Sequence, residues 1–258
     1  RLAAGDVEVR KAVLAALAAL GARAKPALAE LERGLDRENR EDPAERIRIA
    51  YTLLRIDAAQ QRPLPVLMAG LAERSIELRV LSLEALLSRK ETSAAILPLL
   101  RPWLREGERR LDEGVERALR GAGAPGVEEV LGWAADTHPQ VRSKTLALLA
   151  GAARALPPEQ GGDELAGRIL GVVAQATRDT FEPVRLAALA ALATAGPRAL
   201  KELETLLPVL TDPSSALRIK FCALLMSWGA KARPALGPLG RLLEDSKSEV
   251  RTAALEAL

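Results

Sequence analysis

Few side chains in this sequence could do covalent or metal chemistry. His138 is the sole histidine and Cys222 the sole cysteine among 258 residues. One imidazole cannot supply a multi-histidine metal set, and a hydrolytic triad built on it would need a nucleophile and an orienting carboxylate that nothing nearby provides. It lies in "DTHPQV", which reads as an exposed turn beside Pro139. Cys222, in "KFCALLM", has apolar neighbours at helical spacing and no cation or helix start to lower its thiol pKa, so it reads as a small buried hydrophobe. Trp103, Trp133 and Trp228 could stack on a nucleobase, but Trp228 fills the last apolar slot of its helix and Trp103 adjoins Leu104, so packing is the expectation. No glycine-rich phosphate loop is present. Catalytic, cofactor and metal residues are therefore assigned to none.

Composition excludes other classes. Aromatics make up 2% and hydrophobic residues 48%, which calls for a core of Ala, Leu and Val in closely packed helices. The 37 Lys and Arg stand against 34 Asp and Glu, and the two signs are interspersed, as on a solvated face. Nucleic acid is thus disfavoured as a partner. No run of about 18 apolar residues is free of charge, so no membrane span is expected, and no localisation is assigned.

The elements that position these residues recur. An apolar residue at positions 9, 47, 78, 111, 141, 184, 217 and 250 is followed by Arg, except at Asp112, and neighbouring positions differ by 38, 31, 33, 30, 43, 33 and 33. That is a helical-repeat period. Each segment carries apolar residues at three- and four-residue spacing, for example Leu217, Phe221, Leu224, Leu225 and Trp228. Thr137 with Gln140 and Ser246 with Glu249 have capping-box spacing. Gly21, Gly123, Gly196 and Gly229 fall where these helices should end. A preceding helix shows leucines at fixed offsets: Leu64, Leu67 and Leu71; Leu97, Leu100 and Leu104; Leu203, Leu206 and Leu210; Leu236, Leu239 and Leu243. Pro26 and Pro234 stand near the starts of such first helices.

This unit, with Pro early in its first helix and "DxxxxVRxAAxxAL" leading into its second, resembles the HEAT-repeat family over nearly the whole chain. The resemblance implies an all-α fold: an α-solenoid of about seven antiparallel helix pairs plus a leading half-unit, forming a single domain over residues 1–258. First helices would lie on its convex side and second helices on its concave side. It also implies an Asp/Arg ladder between successive units, by residue match Asp42, Asp136, Asp179, Asp212 and Asp245 with Arg48, Arg142, Arg185, Arg218 and Arg251. Asp112 interrupts that pattern. Some HEAT-like metal hydroxylases use His-Glu pairs, which this chain lacks.

Outward positions of the second helices read Ile49, Val80, Leu186, Ile219 and Met226, an apolar groove suited to a protein or peptide segment rather than to a phosphate backbone. Glu113, Glu116, Arg117 and Arg120 put a charged centre within it. The expected function is a non-enzymatic scaffold that holds a protein segment along the concave face. The alternative is a HEAT-like enzyme or chaperone-lyase, akin to a DNA glycosylase or a pigment lyase. Two longer turns, "DRENREDPAER" and "ARALPPEQGGDE", are expected to be solvated insertions. The terminal segment "EVRTAALEAL" carries no polar cap, so the chain is expected to be part of a longer array, with end-to-end self-association possible in this form.

Overall fold

The computed structural model describes residues 6–36, 42–157 and 161–258. The described residues form helices joined by turns and contain no strand. The two lengthened turns fall partly on residues 37–41 and 158–160, which lie outside the described residues. The chain divides into two compact units, residues 1–126 and 127–258.

In unit 1, α1 (Val7–Leu20) is followed by three pairs. These are α2 (Leu28–Asp36) with α3 (Pro43–Ile56), α4 (Leu64–Gly70) with α5 (Ile76–Leu87), and α6 (Ser93–Leu100) with the first part of α7 (Arg109–Trp133). Gly123, at φ 61 and ψ −143, kinks α7 and divides it into two helices. In unit 2 the second part of α7 pairs with α8 (Pro139–Ala155), and α9 (Gly162–Gln175) pairs with α10 (Glu182–Ala195). The remaining pairs are α11 (Leu203–Leu206) with α12 (Ser215–Trp228) and α13 (Leu236–Arg241) with α14 (Ser248–Ala257).

First helices are short and often continue as 3-10 turns, because prolines such as Pro98, Pro208 and Pro234 remove the N–H groups that longer α-helices need. The middle leucine of each first helix is buried: Leu67, Leu100, Leu206 and Leu239 are 1% exposed or less. Gly70 permits the closest approach within a pair, since a Cβ there would lie 2.2 Å from Ser82 Oγ on α5.

The helix-ending glycines share one conformation. Gly21, Gly123, Gly196 and Gly229 have φ between 53 and 65 and ψ between −132 and −143, a region closed to residues with a Cβ. A Cβ would meet nothing within 4 Å at three of them, so the requirement comes from the backbone rather than from crowding.

Val7–Asp36 is long and apolar enough, by length and composition alone, to cross a membrane, and the positive φ of Gly21 breaks it between α1 and the 3-10 turn Gly21–Ala27. One expectation needs correction: the capping boxes do not form. Neither α8 nor α14 receives a side-chain cap from Thr137 or Ser246, because Asp136 and Asp245 accept the turn N–H groups of His138 and Lys247 at 2.7 and 2.9 Å.

Candidate functional site

In unit 2 the aspartate of each turn is made rigid before it meets any arginine. Asp179 Oδ1 accepts the Phe181 N–H at 2.9 Å and Asp212 Oδ1 that of Ser214 at 2.8 Å. The arginine six residues on donates from Nη1 to its own turn's aspartate carbonyl: Arg142 to Asp136, Arg185 to Asp179, Arg218 to Asp212 and Arg251 to Asp245, at 2.6–3.0 Å. Its remaining edge faces the next pair's carboxylate. Arg142 grips Asp179 at 2.7 and 2.8 Å, Arg185 reaches Asp212 at 2.9 Å, and Arg218 reaches Asp245 at 2.9 Å. Arg142 also lies over the exposed Phe181 ring, 5.4 Å from its centroid.

Burial is the largest influence on Asp179 and pushes its pKa up. The Arg142 hydrogen bonds, the Phe181 N–H and the charges of Arg142 and Arg185 outweigh it, so the carboxyl stays below its ordinary range. Asp245 is also lowered, first by the Lys247 N–H and then by Arg218.

Unit 1 uses different acceptors. Arg10 meets Glu45 at 3.3 Å and Arg48 meets Glu77 at 3.6 Å, while Asp42 caps α3 by accepting the Ala44 N–H at 2.9 Å. Arg79 grips Glu106 through Nη1 and Nη2 at 2.5 and 2.7 Å, with its guanidinium 5.7 Å from the Trp103 ring centroid. The sequence reading missed this pair. Its signal was the offset, since Glu106 precedes Asp112 by the same six residues that separate each unit 2 aspartate from its arginine. Asp136 is buried, and Asp112 stands where the previous repeat would carry an arginine.

The outward positions of the second helices divide into three sets. Ile49 and Val80 are 0% and 7% exposed and so are not part of an open groove. The cause is helix rotation: Ile49 Cδ1 lies 3.4 Å from where a Cβ on Gly34 of α2 would be, so the residue faces its own first helix. Glu113, Arg117 and Arg120 are exposed on α7, where Arg109 pairs with Glu113 at 2.7 Å and Arg120 with Glu116 at 2.8 Å. In unit 2, Leu186 and Ile219 are half-buried and Met226 is 52% exposed, among the exposed Ala190, Ala193 and Ala223.

Most of the residues that could do chemistry are packed among the helices. Trp103 and Trp133 are 2% and 1% exposed, and their Nε1 atoms donate to the Leu71 carbonyl and the Glu129 carboxylate, both at 3.0 Å. Trp228 is 7% exposed. Cys222 is fully buried, and that burial pushes its thiol pKa up to about 11. His138 is half-buried at the turn into α8. No cluster of three or more His, Cys, Asp or Glu suited to a metal ion occurs among the described residues.

Residues 169–258 match a family model described as HEAT repeats. This segment is a HEAT-repeat array. The HEAT register, an apolar residue and Arg six residues after an acidic one, is traceable upstream to Asp42 and Arg48. Comparison with the curated proteins returned no match. Among solved structures the chain is similar to Kap121p, with a TM-score of 0.63 at 14% identity over 99% of this chain and 31% of that one. It thus spans less than a third of Kap121p, and the likeness shows the fold alone. An engineered protein is similar at 21% identity, over 99% of this chain and 75% of that one, with a TM-score of 0.48. The chain is all-α, a helical-repeat solenoid of paired antiparallel helices.

Proposed function

We propose that the chain is a non-enzymatic scaffold and that the second-helix face of unit 2 holds a protein or peptide segment. The observation that carries this reading is Met226, a flexible, polarizable side chain left 52% exposed beside half-buried Ile219 and Leu186. Ala190, Ala193 and Ala223 make the floor shallow, so an apolar segment can approach the helices closely. Exposed Lys220 borders the face, and the paired charges on α7 give unit 1 a polar second-helix surface on which Arg117 is exposed.

The test is affinity capture from cells of the source, comparing the parent with Ile219→Glu and Met226→Glu. A protein retained by the parent and lost with both variants supports the reading. Capture of nucleic acid alone, or of a protein indifferent to both substitutions, overturns it.

A further inference from the structure

Three successive second helices of unit 2 are almost free of acid. α8, α10 and α12 carry Arg142, Lys144, Arg154, Arg185, Arg218 and Lys220, and their single acidic residue is Glu182, the first residue of α10. That carboxylate accepts the Ser214 hydroxyl at 2.5 Å. Acidic residues return on α14, at Glu249 and Glu256, so the cationic surplus belongs to the three helices before it.

Three of the six cations are already matched. Arg142, Arg185 and Arg218 meet Asp179, Asp212 and Asp245 at 2.7–2.9 Å. Of the others, Lys144 is half-buried, whereas Arg154 and Lys220 are exposed. Arg154 lies in the last turn of α8, where a cation answers the negative end of the helix dipole. Lys220 stands in the second turn of α12, far from that helix's C-terminal end, and among the described residues no carboxylate forms an ion pair with it.

This lysine also adjoins the apolar patch. Lys220, Ala223 and Met226 follow one another at three-residue spacing along α12 and are all exposed, so they form one ridge. The offset from Lys220 to Met226 is about 9 Å along the helix axis, roughly three residues of an extended chain. An apolar segment lying over Met226 takes water from Lys220 as well. A cation that loses solvent with nothing opposite it weakens binding, whereas a carboxylate on the segment offsets that loss and a second cation adds repulsion.

We infer that the segment held on this face is acidic as well as apolar: an aliphatic side chain packs on Met226, and an Asp or Glu about three residues away pairs with Lys220. The inference rests on the peptide-binding reading above and narrows it, since a segment with Lys or Arg at that place meets like charge.

Panning a phage-displayed library of random linear peptides on the 258-residue chain, with Met226→Glu as the counter-selection, tests it. Peptides that depend on Met226 should carry Asp or Glu beside their apolar anchor, and the same panning on Lys220→Glu should enrich Lys or Arg there instead. A synthetic peptide from the parent's selection should bind Lys220→Glu about three- to tenfold more weakly by fluorescence anisotropy, as expected for reversing one partly exposed charge pair, and the difference should shrink as salt is raised. Circular dichroism of Lys220→Glu should match the parent, because the side chain is exposed. Met226-dependent peptides without an acidic preference, or ones that bind Lys220→Glu as tightly as the parent, overturn the inference and leave the peptide-binding reading standing. A selection that yields no Met226-dependent peptide overturns both.

Discussion

Arg142 and Asp179 lie 37 residues apart in sequence and meet through two hydrogen bonds of 2.7 and 2.8 Å, with side chains only 11% and 13% exposed. The pair ties α8 to the turn before α10, and the carboxylate is already committed to the Phe181 N–H. Removing one member leaves a mostly buried charge without its counterion. Asp179→Asn should therefore destabilise unit 2 by about 2–4 kcal/mol. Removing both as Arg142→Met with Asp179→Leu should recover part of that loss. Urea denaturation followed by far-UV circular dichroism measures both, and a single variant within about 0.5 kcal/mol of the parent would show that the pair contributes nothing net.

The same carboxylates set an acid limit. Asp179, Asp245 and Glu106 titrate below their ordinary ranges in the folded chain, Glu106 chiefly through the Arg79 hydrogen bonds. Because the unfolded chain takes up these protons first, the stabilisation is present above the ordinary carboxyl pKa of about 4 and is lost as pH falls through the lower folded values. The urea midpoint should be nearly flat from pH 7 to about pH 5 and fall below that. Asp179→Asn should show a shallower acid decline.

Two glycines should respond in opposite directions to the same substitution. Gly196→Ala forces a Cβ into φ 65 and ψ −140 and should cost about 1–3 kcal/mol despite the open space around it. Gly171 lies inside α9 with nothing within 4 Å of an added Cβ, so Gly171→Ala should stabilise by about 0.5–1 kcal/mol. Thermal unfolding of the two variants side by side decides this, and equal shifts would contradict the backbone argument.

Leu224 is 5% exposed on α12. Leu224→Ala should destabilise by about 2–5 kcal/mol through lost burial and the cavity left behind. A midpoint unchanged in urea would mean that this side of α12 repacks freely.

Cys222 should resist thiol reagents while the chain is folded, since it is fully buried and its pKa stands near 11, with burial as the main cause. One equivalent should react on unfolding in urea. Rapid labelling of the native chain at pH 8 would contradict the packing of α12.

The features legible in the sequence are those set by local chemistry and by repetition. Alternation of apolar residues at three- and four-residue spacing specifies helices whatever surrounds them, and a backbone at φ near 60 and ψ near −140 accepts only glycine, which is why Gly21, Gly123, Gly196 and Gly229 marked helix ends correctly. The period brought Arg142, Arg185 and Arg218 into register with Asp179, Asp212 and Asp245, because identical steps place identical atoms at identical separations.

Rotation of each helix about its axis was not legible, because a shift of one position in register turns the outward face by about 100° at 3.6 residues per turn. Only packing against neighbours settles that angle, and it put Ile49 toward α2 and Val80 into the core while leaving Met226 in solvent. Acceptor choice was likewise tertiary. A longer glutamate in the first turn can reach the arginine that a turn aspartate meets elsewhere, so Glu45 and Glu77 serve unit 1, together with Glu106 at the turn position itself, where Asp179, Asp212 and Asp245 serve unit 2. Sequence spacing determined that an arginine would seek a carboxylate in the next repeat; the distance and tilt between packed helices decided which one it found.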